Sequence, residues 1–309
     1  MRVLLYTPSS KMLPEWRDAL VRALPEGEVR AWEPGFAWRA DYAALWYPAV
    51  EVLAGQTGLK AIFNLGAGVE ALLKRIALPP GVPLIRIEDG GMARQMAEYV
   101  TWAVLRYFRR LDVYAAQQSR AEWKLHRPVR HADFPVGVMG VGVLGTHVAR
   151  ALAALGFRVL GWSRAKKQVD GVRCFAGPPE LDAFLAGSRA LVCMLPLTAG
   201  TDGILNRNTL FKLPAGSYVI NVARGGLVVD DDLLAALDAG HIAGATLDVF
   251  HEEPLPAAHP YWRHPKVLIT PHASAITLID ESAAQIAGKI RRLERGEPVT
   301  GVVDLARGY

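Results

Sequence analysis

Three side chains of different chemistry occupy matching points of the chain. Arg224 lies in Asn221-Val222-Ala223-Arg224-Gly225-Gly226, Glu253 in Asp248-Val249-Phe250-His251-Glu252-Glu253-Pro254-Leu255, and His272 in Thr270-Pro271-His272-Ala273-Ser274-Ala275. Each segment follows an apolar run that reads as a buried strand: Ser217 to Ile220, Ala243 to Leu247, and Lys266 to Ile269. Ligands of an open α/β sheet bind at such strand ends. A cation, a carboxylate and an imidazole on one rim suit the reduction of a carbonyl. Hydride arriving at the carbon creates an alkoxide, and an imidazole, which titrates near neutral pH, can supply the proton it needs. His272 is the expected acid, with Glu253 orienting its ring and stabilising the imidazolium. Arg224 would hold and polarise the substrate, a contribution of about 3–4 kcal/mol for a donor aimed at developing oxyanion charge. Singly, such a His reads as structural and such an Arg-Gly-Gly as a turn. Their order and spacing argue for a set.

A source of hydride is implied upstream. In Val136-Gly137-Val138-Met139-Gly140-Val141-Gly142-Val143-Leu144-Gly145, three glycines follow an apolar run at G-x-G-x-x-G spacing and open a helix-like segment, Thr146 to Leu155. Gly140 would permit the tight turn, Gly142 the approach of backbone to a pyrophosphate, and Gly145 close helix–strand packing. The N–H groups of a helix starting near Val143 and Leu144 would face the phosphates. After the next strand, Phe157 to Trp162, the chain reads Ser163-Arg164-Ala165-Lys166-Lys167. No carboxylate is available there for a ribose 2′-hydroxyl, whereas Ser163, Arg164 and Lys167 suit a 2′-phosphate. NADP(H) is therefore expected, with NAD(H) as the weaker alternative; a solvated basic loop is the plainer reading.

The elements that must position these groups fall into two sets. Strand-like runs at Arg2 to Tyr6, Tyr42 to Tyr47, Ala61 to Asn64 and Leu84 to Arg86 alternate with helices, predicting a small parallel α/β unit. Gly91 to Arg120 has helical spacing throughout and predicts one long helix that links domains or pairs subunits. Six further strands, near 135–139, 157–162, 189–194, 217–221, 244–248 and 267–270, predict a doubly wound parallel sheet. The helical stretch Ile276 to Gly296 is expected to return to the first unit. The expected division is residues 1–96 with 276–309 for substrate, and 97–275 for the dinucleotide.

Composition narrows the class. In 309 residues, 51% hydrophobic and 21% charged with a net charge of +5, the cations are scattered and form no aromatic-interleaved stripe, which excludes a nucleic-acid surface. No apolar segment reaches the ~18 residues of a membrane span, and Cys174 and Cys193 read as free thiols, so a cytoplasmic protein is expected. His251, His259 and His264 match no zinc spacing, so no metal is expected.

With these motifs in place, the chain resembles the D-isomer-specific 2-hydroxyacid dehydrogenase family. The glycine turn, Asn-Val-Ala-Arg-Gly-Gly, Leu-Asp-Val-Phe-x-x-Glu-Pro-Leu-Pro and Pro-His carry the resemblance over nearly the whole chain. It implies two Rossmann-like domains, a doubly wound one for the nucleotide and a smaller, discontinuous, flavodoxin-like one for the substrate, with an interdomain active site and usually a homodimer. The family's catalytic Arg, Glu and His fall on Arg224, Glu253 and His272. Its nicotinamide-carboxamide acceptor falls on Asp248 and the loop beside the nicotinamide ribose on Leu195-Pro196-Leu197-Thr198; Thr201, Val222, Ala223, Arg224, His272 and Ser274 are the further residues expected to bind the cofactor. Its carboxylate-binding loop falls on Asn64-Leu65-Gly66-Ala67-Gly68-Val69, where successive N–H groups before a helix form an anion nest. Trp46 and the Ser-Arg nucleotide loop are most similar to the glyoxylate/hydroxypyruvate reductase branch, which implies NADPH-dependent reduction of small 2-oxo acids in a pocket walled by Trp46. Glu70, where the family usually has Asp, and His251, at an often acidic position, depart from the pattern. Two alternatives stay open: a bulkier substrate such as phenylpyruvate, or a non-catalytic nucleotide sensor.

Overall fold

The computed structural model describes Met1–Ala306; residues 307–309, expected at the end of the substrate unit, lie outside the described residues. Two compact units result, one made of Met1–Met92 together with the chain from Ile276 onward, the other of Ala93–Ala275.

In the first unit, strands β1 (Arg2–Tyr6), β2 (Glu28–Ala31), β3 (Tyr42–Leu45), β4 (Ala61–Asn64) and β5 (Leu84–Ile85) form a parallel sheet of order β2-β1-β3-β4-β5. This is the flavodoxin-like order. Leu4, Leu45, Ile62 and Leu72 fill its core. The late helix Ile279–Glu294 is held to the early helix Met12–Ala23 by Arg22–Asp280 at 2.7 Å and by Arg291 donating to the Ala23 carbonyl at 2.6 Å. Val303 then donates to the Leu84 carbonyl at 2.8 Å, so the C-terminal segment belongs to this unit.

The second unit holds β6 (Val136–Met139), β7 (Val159–Ser163), β8 (Val172–Ala176), β9 (Ala190–Cys193), β10 (Ser217–Asn221), β11 (Ile242–Leu247) and β12 (Val267–Ile269). Their order, β12-β11-β10-β9-β6-β7-β8, is a doubly wound parallel sheet of seven strands, not six. The two strands absent from the sequence expectation, β2 and β8, are both sheet edges with half-exposed residues. Interior strands such as β6 and β9 are buried throughout and betray themselves as unbroken apolar runs, a signal these two edges lack.

The continuous helix predicted over Gly91 to Arg120 is broken. Arg110 adopts a left-handed conformation (φ 55°, ψ 34°), separating helix Met92–Phe108 from helix Leu111–Gln118. No Gly or Pro marks the break, so helical periodicity runs through it unaltered. The first of these helices packs Met96, Val100, Val104 and Tyr107 into the same core as Val136 and Val138 of β6, which puts the boundary at Met92/Ala93 and not after residue 96. Both cysteines are free thiols; burial in β9 pushes the Cys193 thiol up to about 12. Among the described residues no helix is long and apolar enough to cross a membrane.

Candidate active site

Sheet order turns a scattered set of residues into neighbours. β12, β11 and β10 lie side by side and parallel, so the loops carrying His272, Glu253 and Arg224 leave adjacent strand ends. Continuing across the sheet come the Leu195–Thr201 loop after β9, the glycine turn after β6 and Ser163-Arg164 after β7. At ~4.8 Å per strand this row extends about 24 Å, enough for an outstretched dinucleotide. Strand order reverses between β9 and β6, where the glycine turn sits, as expected for a nucleotide site at a topological switch point.

The His272 ring is held from one side. Its Nδ1 lies 2.7 Å from Glu253 Oε2, while Glu253 Oε1 accepts the Phe250 N–H at 3.0 Å. A carboxylate only accepts, so Nδ1 carries the hydrogen and Nε2 is left to exchange a proton with a ligand. Both side chains are partly exposed, at 45% and 36%. The His272 backbone is left-handed, with φ 53°, and its N–H donates to the Asp248 carbonyl at 2.8 Å.

Asp248 is fully buried. Its carboxylate accepts from Thr270 Oγ1 at 2.5 Å and from the N–H groups of Ala273 and Ser274 at 2.8 and 2.9 Å. The expected carboxamide acceptor is thus engaged by its own chain, because a buried carboxylate must be satisfied from within. Here it templates the loop that presents His272. Ser274 contributes its N–H to the same carboxylate and is itself 4% exposed.

Arg224 is positioned by Asn221, whose Nδ2 donates to the Arg224 carbonyl at 2.9 Å and whose Oδ1 accepts the Ala223 N–H at 3.2 Å. The guanidinium donates to the Ala223 carbonyl at 2.6 Å. At Gly225 a Cβ would fall 1.9 Å from the Phe250 carbonyl carbon and 2.3 Å from the His251 nitrogen. Only a glycine lets the Arg224 loop lie against the loop that bears Glu253.

The glycine turn has the predicted division of labour. Gly140 has φ 110° and backs onto the Met194 carbonyl, and a Cβ at Gly145 would lie 1.9 Å from the Gly140 oxygen. At Gly142 a Cβ would meet nothing within 4 Å, so that face is open. Helix Val143–Ala154 starts there with no side-chain cap and no acidic residue in its first turn, leaving its N–H groups to a ligand. Leu144 lies in that first turn. Beside it, Thr201 Oγ1 donates to the Pro196 carbonyl at 2.7 Å and accepts the Thr198 N–H at 2.9 Å, stapling the loop after Leu195. Val222 and Ala223 are buried at the end of β10. Arg164 and Lys167 are exposed beyond β7, but the Ser163 hydroxyl donates to the Ala165 carbonyl at 2.7 Å. Its hydrogen shapes the basic loop.

In the first unit, buried Asn64 donates through Nδ2 to the carbonyls of Gly66 and Gly68 at 2.8 and 2.7 Å. The N–H groups of Gly66, Ala67, Gly68 and Val69 find no acceptor among the described residues. A run of bare donors before a helix has the chemistry to receive an anion. Leu65 is buried beneath it. Trp46 covers Gly66 so closely that a Cβ there would lie 2.4 Å from the indole.

Asn221, Gly225, Thr270 and Asn64 lie within the motifs read from the sequence, but sequence reasoning assigns them no part in shaping these loops, although Asn at two strand ends is a legible signal. His251 Nε2 donates to the Val228 carbonyl at 2.8 Å and, with His259, flanks Asp230. Among the described residues no group of three His, Cys, Asp or Glu side chains could hold a metal ion.

The chain is similar to known proteins. Residues 101–274 match the model of the D-isomer specific 2-hydroxyacid dehydrogenase NAD binding domain. The chain is 50% identical to glyoxylate/hydroxypyruvate reductase A of Serratia proteamaculans and 47% identical to that of Yersinia enterocolitica, each over 100% of both chains. It is similar to a D-isomer specific 2-hydroxyacid dehydrogenase from Xanthobacter autotrophicus solved with NADPH and MES (TM-score 0.94, 43% identity, 100% of this chain and 99% of that one). It is also similar to an NADPH-dependent glyoxylate/hydroxypyruvate reductase from Sinorhizobium meliloti solved with NADP and sulfate (TM-score 0.91, 37% identity, 100% and 99%).

Because backbone, not a flexible side chain, fills the space at Gly225, Gly225→Ala is expected to lower unfolding stability by about 2–3 kcal/mol, as overpacking does. Urea denaturation measures it; a loss below 0.5 kcal/mol, the range of an ordinary surface change, contradicts the close approach.

Proposed function

The chain belongs to the D-isomer-specific 2-hydroxyacid dehydrogenase family, and we propose that it reduces small 2-oxo acids with NADPH, taking glyoxylate to glycolate and hydroxypyruvate to D-glycerate. The observation that carries this reading is the 2.7 Å His272–Glu253 pair on the strand-end row that also holds Arg224 and the glycine turn. Relatives of that name and two NADPH- or NADP-bound structures support it.

The residues fit the nucleotide: an open face at Gly142, an uncapped helix start, and the exposed cations Arg164 and Lys167 without a carboxylate at the end of β7. NADPH, when bound, supplies the hydride that becomes the new C–H bond at C2 of the substrate. Arg224 binds the 2-oxo acid and polarises its carbonyl, and the nest at Gly66–Val69 is assigned the substrate carboxylate. As the carbonyl oxygen gains charge, the protonated His272 ring transfers the hydrogen on Nε2 to it. Glu253, still bonded to Nδ1, holds the ring in place and offsets its positive charge before transfer. A sensor of nucleotide alone would have no use for this arrangement.

We assign the enzyme to a homodimer paired through the Arg120–Arg130 stretch and the helices before it, because Trp123 and Leu125 are almost wholly exposed and Trp102 and Leu111 about half. Apolar surface of this kind marks an interface.

Absorbance at 340 nm with glyoxylate, hydroxypyruvate and phenylpyruvate, each with NADPH and NADH, tests substrate and cofactor together; turnover of phenylpyruvate alone, or of none, removes the assignment. His272→Ala is expected to cut kcat by at least about 100-fold while NADPH affinity stays within about twofold. Arg164→Ala is expected to raise the KM for NADPH about tenfold and to leave that for NADH unchanged. Sedimentation velocity should show a dimer that Trp123→Glu dissociates, and a monomeric wild type would contradict the pairing.

A further inference from the structure

The buried Asp248 carboxylate is fed by a hydrogen-bond chain that begins on a helix far away in sequence. Thr270 has one hydroxyl hydrogen, and it points to Asp248 Oδ1, which can only accept. The Thr270 oxygen must then accept from its other neighbour, the Tyr99 hydroxyl at 2.6 Å. Tyr99 stands on helix Met92–Phe108 with its ring packed against Trp102 at 5.6 Å between centroids. Burial pushes the Tyr99 phenol up to about 12, so at neutral pH it keeps the hydrogen the chain requires. Every hydrogen in the sequence Tyr99, Thr270, Asp248 therefore points the same way.

The other end of this chain is His272. The same Asp248 oxygen that takes the Thr270 hydrogen also accepts the Ala273 N–H, and the Asp248 carbonyl accepts the N–H of His272 itself. His272 sits at φ 53°, a conformation costly for a residue with a Cβ and retained only where its surroundings over-determine it. Through Thr270, helix Met92–Phe108 is tied to the carboxylate that anchors this loop.

We propose that Tyr99 and Thr270 are positioning residues for the reaction, holding the His272 loop in its left-handed geometry through Asp248. The proposal rests on the reading of His272 as the proton donor. Neither residue need touch substrate or cofactor. Their removal should misplace the acid without emptying the nucleotide site, and errors on the order of 1 Å in such groups cost up to about 100-fold in rate.

The test compares Tyr99→Phe, Thr270→Val, the double variant and Thr270→Ser in the intact enzyme. Steady-state kinetics with glyoxylate and NADPH, and NADPH binding followed by fluorescence, are the readouts. Each of the first two should lower kcat about tenfold with NADPH affinity within about twofold, and the double variant should be no worse than the weaker single, since both cut one chain. Thr270→Ser, which keeps the hydroxyl, should restore kcat; if Tyr99→Phe does not fold, the Val and Ser variants at 270 carry the comparison. Wild-type kcat in Thr270→Val, a loss that Thr270→Ser fails to restore, or a loss of NADPH affinity with kcat intact overturns the proposal. His272→Ala measured alongside separates the two readings. If it is inactive while Thr270→Val is not, only the positioning role falls; if it is fully active, the proton-donor reading falls and this one with it.

Discussion

A carboxylate with no water around it organises this site. Asp248 is fully buried at the end of β11, and an ion in that position persists only if the protein supplies its hydrogen bonds. Those donors come from Thr270, Ala273 and Ser274, so satisfying the charge dictates the path of the chain around His272. The His272 imidazole is partly exposed. Its precision is supplied from below, by a group that never has to leave the interior.

The rest of the site follows from where parallel strands end. All seven strands of the larger sheet run the same way, so every loop that carries chemistry emerges on one edge. His272, Glu253 and Arg224 follow β12, β11 and β10 at one end of that edge and the exposed Arg164 and Lys167 follow β7 at the other, with the glycine turn at the reversal of strand order between them. The spacing of strands, a property of backbone hydrogen bonding, sets the reach between the reacting carbon and the far phosphate. Close approach is the second requirement. Gly145 touches the Gly140 carbonyl and Gly225 the Phe250 backbone, and in each case the missing side chain lets one functional loop rest on another.

Much of this was legible in advance, and the parts that were not have a common cause. The glycine turn, Arg224, Glu253 and His272 announce themselves because each follows an unbroken apolar run and uses a residue type whose chemistry is narrow. Edge strands β2 and β8 hide because half their residues face water and dilute the apolar signal. The break at Arg110 hides because one left-handed residue leaves helical spacing on both sides intact. The resemblance marks Asp248 as a carboxamide acceptor, and only the folded structure shows the donors from its own chain that it also takes. The Ser163 hydrogen goes to the Ala165 carbonyl two residues on, a contact the sequence does not display.

What the amino-acid order determined by itself is the inventory: which groups could move a proton, hold a phosphate or nest a carboxylate, and that each follows a strand. Identity and local spacing decide those matters, because apolar periodicity and glycine placement act over a few residues. What tertiary structure decided is the partnership, with Glu253 at the His272 Nδ1, Asn221 beneath Arg224, and Tyr99 joined through Thr270 to Asp248. Tyr99 and Thr270 are 171 positions apart in the chain. No local rule connects them, since a hydrogen bond is selected by distance and direction in space, and those exist only once the sheet and its helix have packed.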